Sequence, residues 1–178
     1  MKKITALFVI FALLTLCLCS AAAFAADEEE TEEPPYGPLG FTYNEIDFGI
    51  LDEAEPVMEA IGEADDLFVS ASCAYQGDDY IYYYDGIELT TNEIDGVFYI
   101  TGIVVADDML ETPQGLKIGM DIQDALALMD EIMTEDILFE ENRGVYSYEY
   151  GTTLLMIKTD KDGTITAIQY MPSEMEDS

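Results

Sequence analysis

Residues 112–126 lay out a turn (Thr112-Pro113-Gln114-Gly115), a short extended stretch to Gly119, a cap at Asp121 and the start of a helix. The chain has already used that order once, from Phe48-Gly49 through the apolar positions Val57, Met58 and Ile61 to Gly62. The residues after each copy also correspond: a tyrosine-rich run ending at Gly86 or Gly151, a second run ending at Asp95-Gly96 or Asp162-Gly163, and a third run beyond. A helix of about three turns is marginal alone in water and has to lie on other structure. The repetition therefore predicts an α+β fold of two tandem units, residues 41–108 and 109–178, each a helix plus an antiparallel β-meander. Together the units are expected to form one curved sheet with the helices on one face.

Local signals set the expected elements. The first helix spans 52–62, with Pro56 in its first turn and Gly62 as its stop. The second is capped by Asp121, and Ile122, Leu126, Met129 and Met133 recur at spacings of four, three and four, one face of a helix. Alternation predicts strands at 80–84, 87–91 and 97–105 in the first unit and at 145–150, 153–159 and 164–171 in the second. Asp95-Gly96 and Asp162-Gly163 supply hairpin turns, because glycine accepts the positive φ that such turns require.

Setting Gly86 against Gly151 places Ile81 and Tyr83 beside Tyr146 and Tyr148, beneath the helix. That register leaves Tyr80, Tyr82 and Tyr84 on the open face of the sheet. Amphipathic rings with a polar tip suit recognition surfaces, so these three are the candidate binding residues. Tyrosine also favours strands for its own sake, which is the purely structural reading of the same residues.

The N-terminus reads as export chemistry. Lys2-Lys3, an apolar run to about Cys19 and Ala23-Phe24-Ala25 form a basic region, a hydrophobic region and an A-x-A cleavage site. The run is short for a membrane span and is followed by acid, so residues 1–25 are expected to be a signal peptide and the product to be secreted. Cys17 and Cys19 suggest a lipid anchor as the alternative, but Leu16 and Leu18 stand where an acylated cysteine needs a small residue. Residues 26–40 hold six carboxylates and two adjacent prolines between Asp27 and Pro35, and are expected to form a disordered acidic linker. Cys73 is then the one cysteine left, expected as a small buried residue in a strand over 69–75.

Charge excludes whole classes of partner. The chain carries 38 acidic and 6 basic residues, net −32, and loss of Lys2 and Lys3 with the leader takes this to −34. Nucleic acid and anionic membrane surfaces are excluded as partners. Ion pairs cannot hold such a fold together, so apolar burial has to. Histidine is absent, which removes Ser-His-Asp and Cys-His catalysis, histidine zinc sites and the usual general base. No carboxylate pair sits in an apolar motif that would suit a glycosidase. No catalytic residue and no cofactor is expected, and the chain does not read as an enzyme. Asp160 to Ile165 starts like a calcium loop, but its glycine comes fourth and Met171 stands where the bidentate Glu is needed. Weak calcium association with acidic patches such as Asp65-Asp66, Asp78-Asp79 and Asp107-Asp108 is the expectation that remains.

Residues 71–79 (Ala-Ser-Cys-Ala-Tyr-Gln-Gly-Asp-Asp), the tyrosine-rich run after them and Thr112-Pro113-x-Gly115-x-x-Ile118-Gly119 resemble a known family. They are similar to secreted proteins of Gram-positive bacteria built from tandem repeats like the β-lactamase inhibitory protein fold. The resemblance covers about residues 41–171. It implies two helix-plus-sheet units with helices on one side and a concave sheet face open on the other. In the inhibitor that face grips a protein partner, and most relatives have no assigned role. The pattern breaks at Asp130-Glu131, where relatives carry an aromatic-Gly pair, and none of the inhibitor's binding residues transfers to a position here.

The expected function is a secreted, non-catalytic binding or inhibitor-like module engaging an extracellular protein or cell-envelope polymer through its open sheet face. The alternative is an acidic structural or cation-associating envelope protein without a specific partner.

If self-repulsion limits stability, the melting temperature rises with salt as the screening length falls from about 10 Å at 0.1 M to about 3 Å at 1 M. It rises further with millimolar calcium than with matched ionic strength. A melting curve indifferent to both would show that the charges are already spread widely enough not to matter.

Overall fold

The computed structural model describes residues 36–173. The expected signal peptide and residues 26–35 of the expected linker lie outside them. Residues 36–40 do not behave as linker: Gly37–Leu39 forms a 3-10 turn and Leu39 is buried, 1% exposed. A hairpin comes next, β1 (Phe41–Tyr43) and β2 (Ile46–Phe48), turned by Asn44 and Glu45 with φ of 50° and 66°. Two short helices, α1 (Ala54–Ile61) and α2 (Ile122–Ile132), each precede four strands. These are β3 (Asp66–Ala71), β4 (Asp78–Tyr84), β5 (Ile87–Ile94) and β6 (Val97–Val105), then β7 (Leu138–Asn142), β8 (Val145–Tyr150), β9 (Thr153–Thr159) and β10 (Ile165–Pro172).

All eight lie in one antiparallel sheet, in the order β3-β4-β5-β6-β10-β9-β8-β7. The expected α+β pair of tandem helix-plus-meander units is therefore corrected. The described residues are mostly β, an eight-stranded sheet and a separate two-stranded one with two short helices. Two causes account for the difference. Residues 66–71 and 138–142 each add a strand that alternation could not reveal, because Leu67-Phe68-Val69 and Leu138-Phe139 are unbroken apolar runs on sheet edges. The β1–β2 hairpin meanwhile adds Phe41, Tyr43 and Phe48 to the core shared by both halves.

The sheet is organised by cross-strand ranks, since directly opposed residues share a face. One rank crosses every strand: Leu67, Tyr82, Leu89, Ile103, Tyr170, Leu155, Tyr148 and Phe139. Its middle is fully buried, and burial fails at the ends, where Leu67 is 46% and Phe139 44% exposed. The neighbouring rank on the opposite face, Tyr83, Glu88, Val104, Gln169, Met156 and Ser147, is only half-buried.

Polar groups at the centre are paired. The Tyr170 hydroxyl donates to Gln114 Oε1 at 2.5 Å, and Gln114 Nε2 donates to the carbonyls of Pro38 and Gly40 at 3.0 and 2.9 Å. Gln114 is held there by the turn 112–115, closed by the Gly115 N–H on Thr112 O at 2.8 Å with Gly115 at φ 81°. Asp95-Gly96 turns β5 into β6 as expected, and Asp121 caps α2 by accepting from the Gln123 N–H at 2.8 Å. Cys73, expected buried in a strand, lies past the end of β3 and is exposed. Among the described residues no helix is long and apolar enough to cross a membrane.

Burial sets a pH limit. It pushes the Tyr148 phenol up to about 12, with Asp130 and Tyr146 adding in the same direction, and raises Tyr170 as well, the Thr112 hydroxyl opposing. An unfolded tyrosine titrates near about 10. Below that pH both states keep their protons; above it the unfolded chain loses protons that the fold retains, so stability falls as pH rises, for Tyr148 up to about 12. The expected result is an unfolding free energy, read by denaturant titration, that falls above about pH 10, with a fall shallower in Tyr148→Phe by up to about 1.4 kcal/mol per pH unit. Equal slopes in the two proteins would show that Tyr148 is not held neutral.

Candidate functional site

The first half of the sheet is under-covered by its helix. Pro56 in the first turn and the spacing of Ala54, Val57, Met58 and Ile61 make α1 amphipathic, and Gly62 ends it at φ 102° with its N–H on Met58 O at 3.1 Å. Eight helical residues span about 12 Å, whereas the seven residues of β4 span about 23 Å. The helix packs against β2 and β6, and Tyr80 and Tyr82 of β4 stay only half-buried. There an open groove of about 840 Å³ runs between α1, β3 and β4. Its volume falls in the range of ligand sites.

Tyr80, Tyr82 and Tyr84 line this groove, together with Leu67 of β3, Met58 of α1 and Phe98 of β6. Tyr80 meets Phe98 edge-on, with ring centroids 5.3 Å apart. Around the rings stand Glu55, Glu59, Glu63 and Asp66, all exposed. The contrast with the other end of the sheet is informative. Tyr82 and Tyr148 occupy the same cross-strand rank, yet Tyr148 is 2% exposed beneath Phe139 while Tyr82 is only half-buried.

The three candidate tyrosines are thus brought together, but on the helix face and not on the open face, and Ile81 and Tyr83 take the open side. Register is the cause. Gly86 is the second residue of the turn between Tyr84 and Ile87, while Gly151 is the first residue of the turn between Tyr150 and Thr153. Aligning the glycines slips the strands by one, and a one-residue slip exchanges every side chain between faces. Aligned on their turns, Tyr80, Tyr82 and Tyr84 correspond to Tyr146, Tyr148 and Tyr150.

Tyr84 is the odd member. It is 9% exposed, and its hydroxyl is sealed from solvent without a hydrogen-bond partner. Burial raises its pKa first, and the neighbouring Tyr82 and Tyr43 phenols add to the rise. Tyr43, whose ring packs edge-on against it at 6.0 Å, does place its own hydroxyl, on the Asp85 carbonyl at 2.9 Å.

Sequence reasoning missed Phe98 and Leu67 as partners of the tyrosines, because they arrive from β6 and from residues ahead of the strand expected over 69–75. Glu55 and Glu59 come to the groove from one face of α1, four residues apart, and Glu63 and Asp66 from the segment after Gly62 and the start of β3. Among the described residues no group of three or more His, Cys, Asp or Glu is placed to hold a metal ion. The arrangement offers aromatic surface, carboxylate charge and one unsatisfied hydroxyl, which is chemistry for binding.

No family model matches the chain, and no curated protein matches it. Two solved structures are similar to it in part. One is an extracellular protein containing a SCP domain from Bacillus anthracis str. Ames, at 12% identity and a TM-score of 0.45, covering 70% of this chain and 44% of that one. The other is a cysteine-rich secretory protein from Staphylococcus aureus subsp. aureus Mu50, at 11% identity and a TM-score of 0.45, covering 71% and 45%. The chain spans less than half the length of either. The expected kinship with the β-lactamase inhibitory protein fold is corrected: no family model matches the chain, and the described residues form one eight-stranded sheet with a separate two-stranded one in place of two helix-plus-meander units.

A buried hydroxyl without a partner costs about 1–3 kcal/mol of desolvation. Tyr84→Phe removes that cost and keeps the ring, so denaturant titration is expected to show a protein as stable as the original or more stable by about 1 kcal/mol. A loss of stability of that size would show that the hydroxyl is bonded in the folded protein.

Proposed function

We propose that the chain is an exported, non-catalytic binding module that engages another protein or a cell-envelope polymer, and that its contact surface is the groove between α1 and β4. One observation carries this reading: three successive same-face tyrosines, Tyr80, Tyr82 and Tyr84, share a groove that the short helix leaves open. Half-buried rings such as Tyr80 and Tyr82, with Tyr84 sealed behind them, give much contact area for little entropy, the composition of recognition surfaces. The leader-like N-terminus supports export, and the absence of histidine supports a non-catalytic role.

The competing reading, an acidic envelope protein that merely associates with cations, draws its support from the net charge of −32. The two differ at Tyr82, which carries no charge. With residues 26–178 as bait against culture supernatant and cell wall, the original chain is expected to retain a saturable partner that Tyr82→Ser loses, with the variant's melting curve verifying that it is folded. Capture that is equal in both baits and vanishes with salt would support the cation-associating reading and set the groove aside.

A further inference from the structure

We infer that the occupant of this groove is an extended basic peptide segment of a partner protein, added as a further strand along β3, with a lysine or arginine side chain entering over the tyrosines. The inference rests on the reading of the groove as the contact surface and names what fills it.

β3 ends the sheet and pairs with β4 alone, so the outer row of its backbone N–H and C=O groups can template another strand. Protein edges of this kind are commonly guarded by charge. β7, at the opposite end, carries Glu140 and Glu141 in its five residues. β3 has no charge from Leu67 to Ala71, and Leu67, Phe68 and Val69 are all exposed. That edge adjoins the groove directly, for Leu67 is opposite Tyr82 and lines it.

The groove's chemistry selects the partner's charge. Glu55, Glu59, Glu63 and Asp66 surround it, no lysine or arginine lines it, and the two ion pairs among the described residues involve other carboxylates. A cation over the faces of Tyr80 and Tyr82 gains from the ring quadrupoles. A second copy of this chain fits the edge but not the charge, because two chains of net −32 repel. An extended peptide fits both, presenting alternate side chains to the groove and to Phe68 on the other side of β3.

The probe is a short fluorescent peptide of alternating lysine and valine, titrated into residues 26–178 and followed by anisotropy. The peptide is expected to bind, and its glutamate–valine counterpart is not. N-methylation of alternate amides, which removes strand pairing and keeps the charge, is expected to weaken binding about tenfold or more, as is Tyr82→Ser. Lysine-peptide binding that survives Tyr82→Ser would be diffuse charge attraction and overturns the inference, as do indifference to N-methylation, absence of binding, or a dimer in sedimentation that Phe68→Lys abolishes. A partner captured in a Tyr82-dependent way that the peptide fails to displace would sink the inference and leave the groove as the contact surface. Capture independent of Tyr82 would remove both.

Discussion

The fold depends on burying one face of a long sheet about the Tyr170 phenol. Tyr170 sits in β10, at the middle of the rank that crosses all eight strands, and its ring packs against Phe41 at 5.2 Å. Its hydroxyl can be buried there because Gln114 accepts from it, and Gln114 can be buried because the Pro38 and Gly40 carbonyls take its amide. This chain of donors and acceptors connects the N-terminal segment, the turn before α2 and the central strand. Removing one member would leave another buried and unsatisfied, at a cost of about 1–3 kcal/mol.

The charge makes that reliance heavier. Two ion pairs form among the described residues, Lys117–Glu111 at 2.8 Å and Lys161–Asp162 at 2.9 Å, and both are exposed, a class worth about 0–1 kcal/mol. Cohesion therefore comes from apolar burial and from internal hydrogen bonds. The carboxylates are displaced outward, and where the core thins at the sheet's first edge they stand directly beside aromatic surface. The groove joins these two features: a core that runs out of helix before it runs out of strand, and a surface with almost no base to neutralise it.

Equivalent positions at the two ends of the sheet end up with different fates for local reasons. Tyr148 has Phe139 of β7 against it at 4.9 Å. Tyr82 has Leu67 of β3 opposite and only eight residues of helix nearby. The same residue type in the same rank is core in one place and half-open wall in the other. Recognition chemistry is then a matter of coverage and not of composition, and for that reason a count of tyrosines could not locate it.

What this sequence determines by itself is what neighbours along the chain decide. The Asp121 cap, the Gly62 stop and the Asp95-Gly96 turn form where expected, because each depends on a few adjacent dihedrals and one or two hydrogen bonds. Only the tertiary structure decided which face of β4 is inward, since that turns on whether a glycine is first or second in its turn, a one-residue difference that exchanges the faces. Only it could start β3 at Asp66, ahead of the strand expected over 69–75, and add β7, because the runs Leu67-Phe68-Val69 and Leu138-Phe139 do not alternate. The groove, with Tyr84 sealed and Tyr82 half-open, is lined from α1, β3, β4 and β6, which are separate in the sequence and meet only in the tertiary structure.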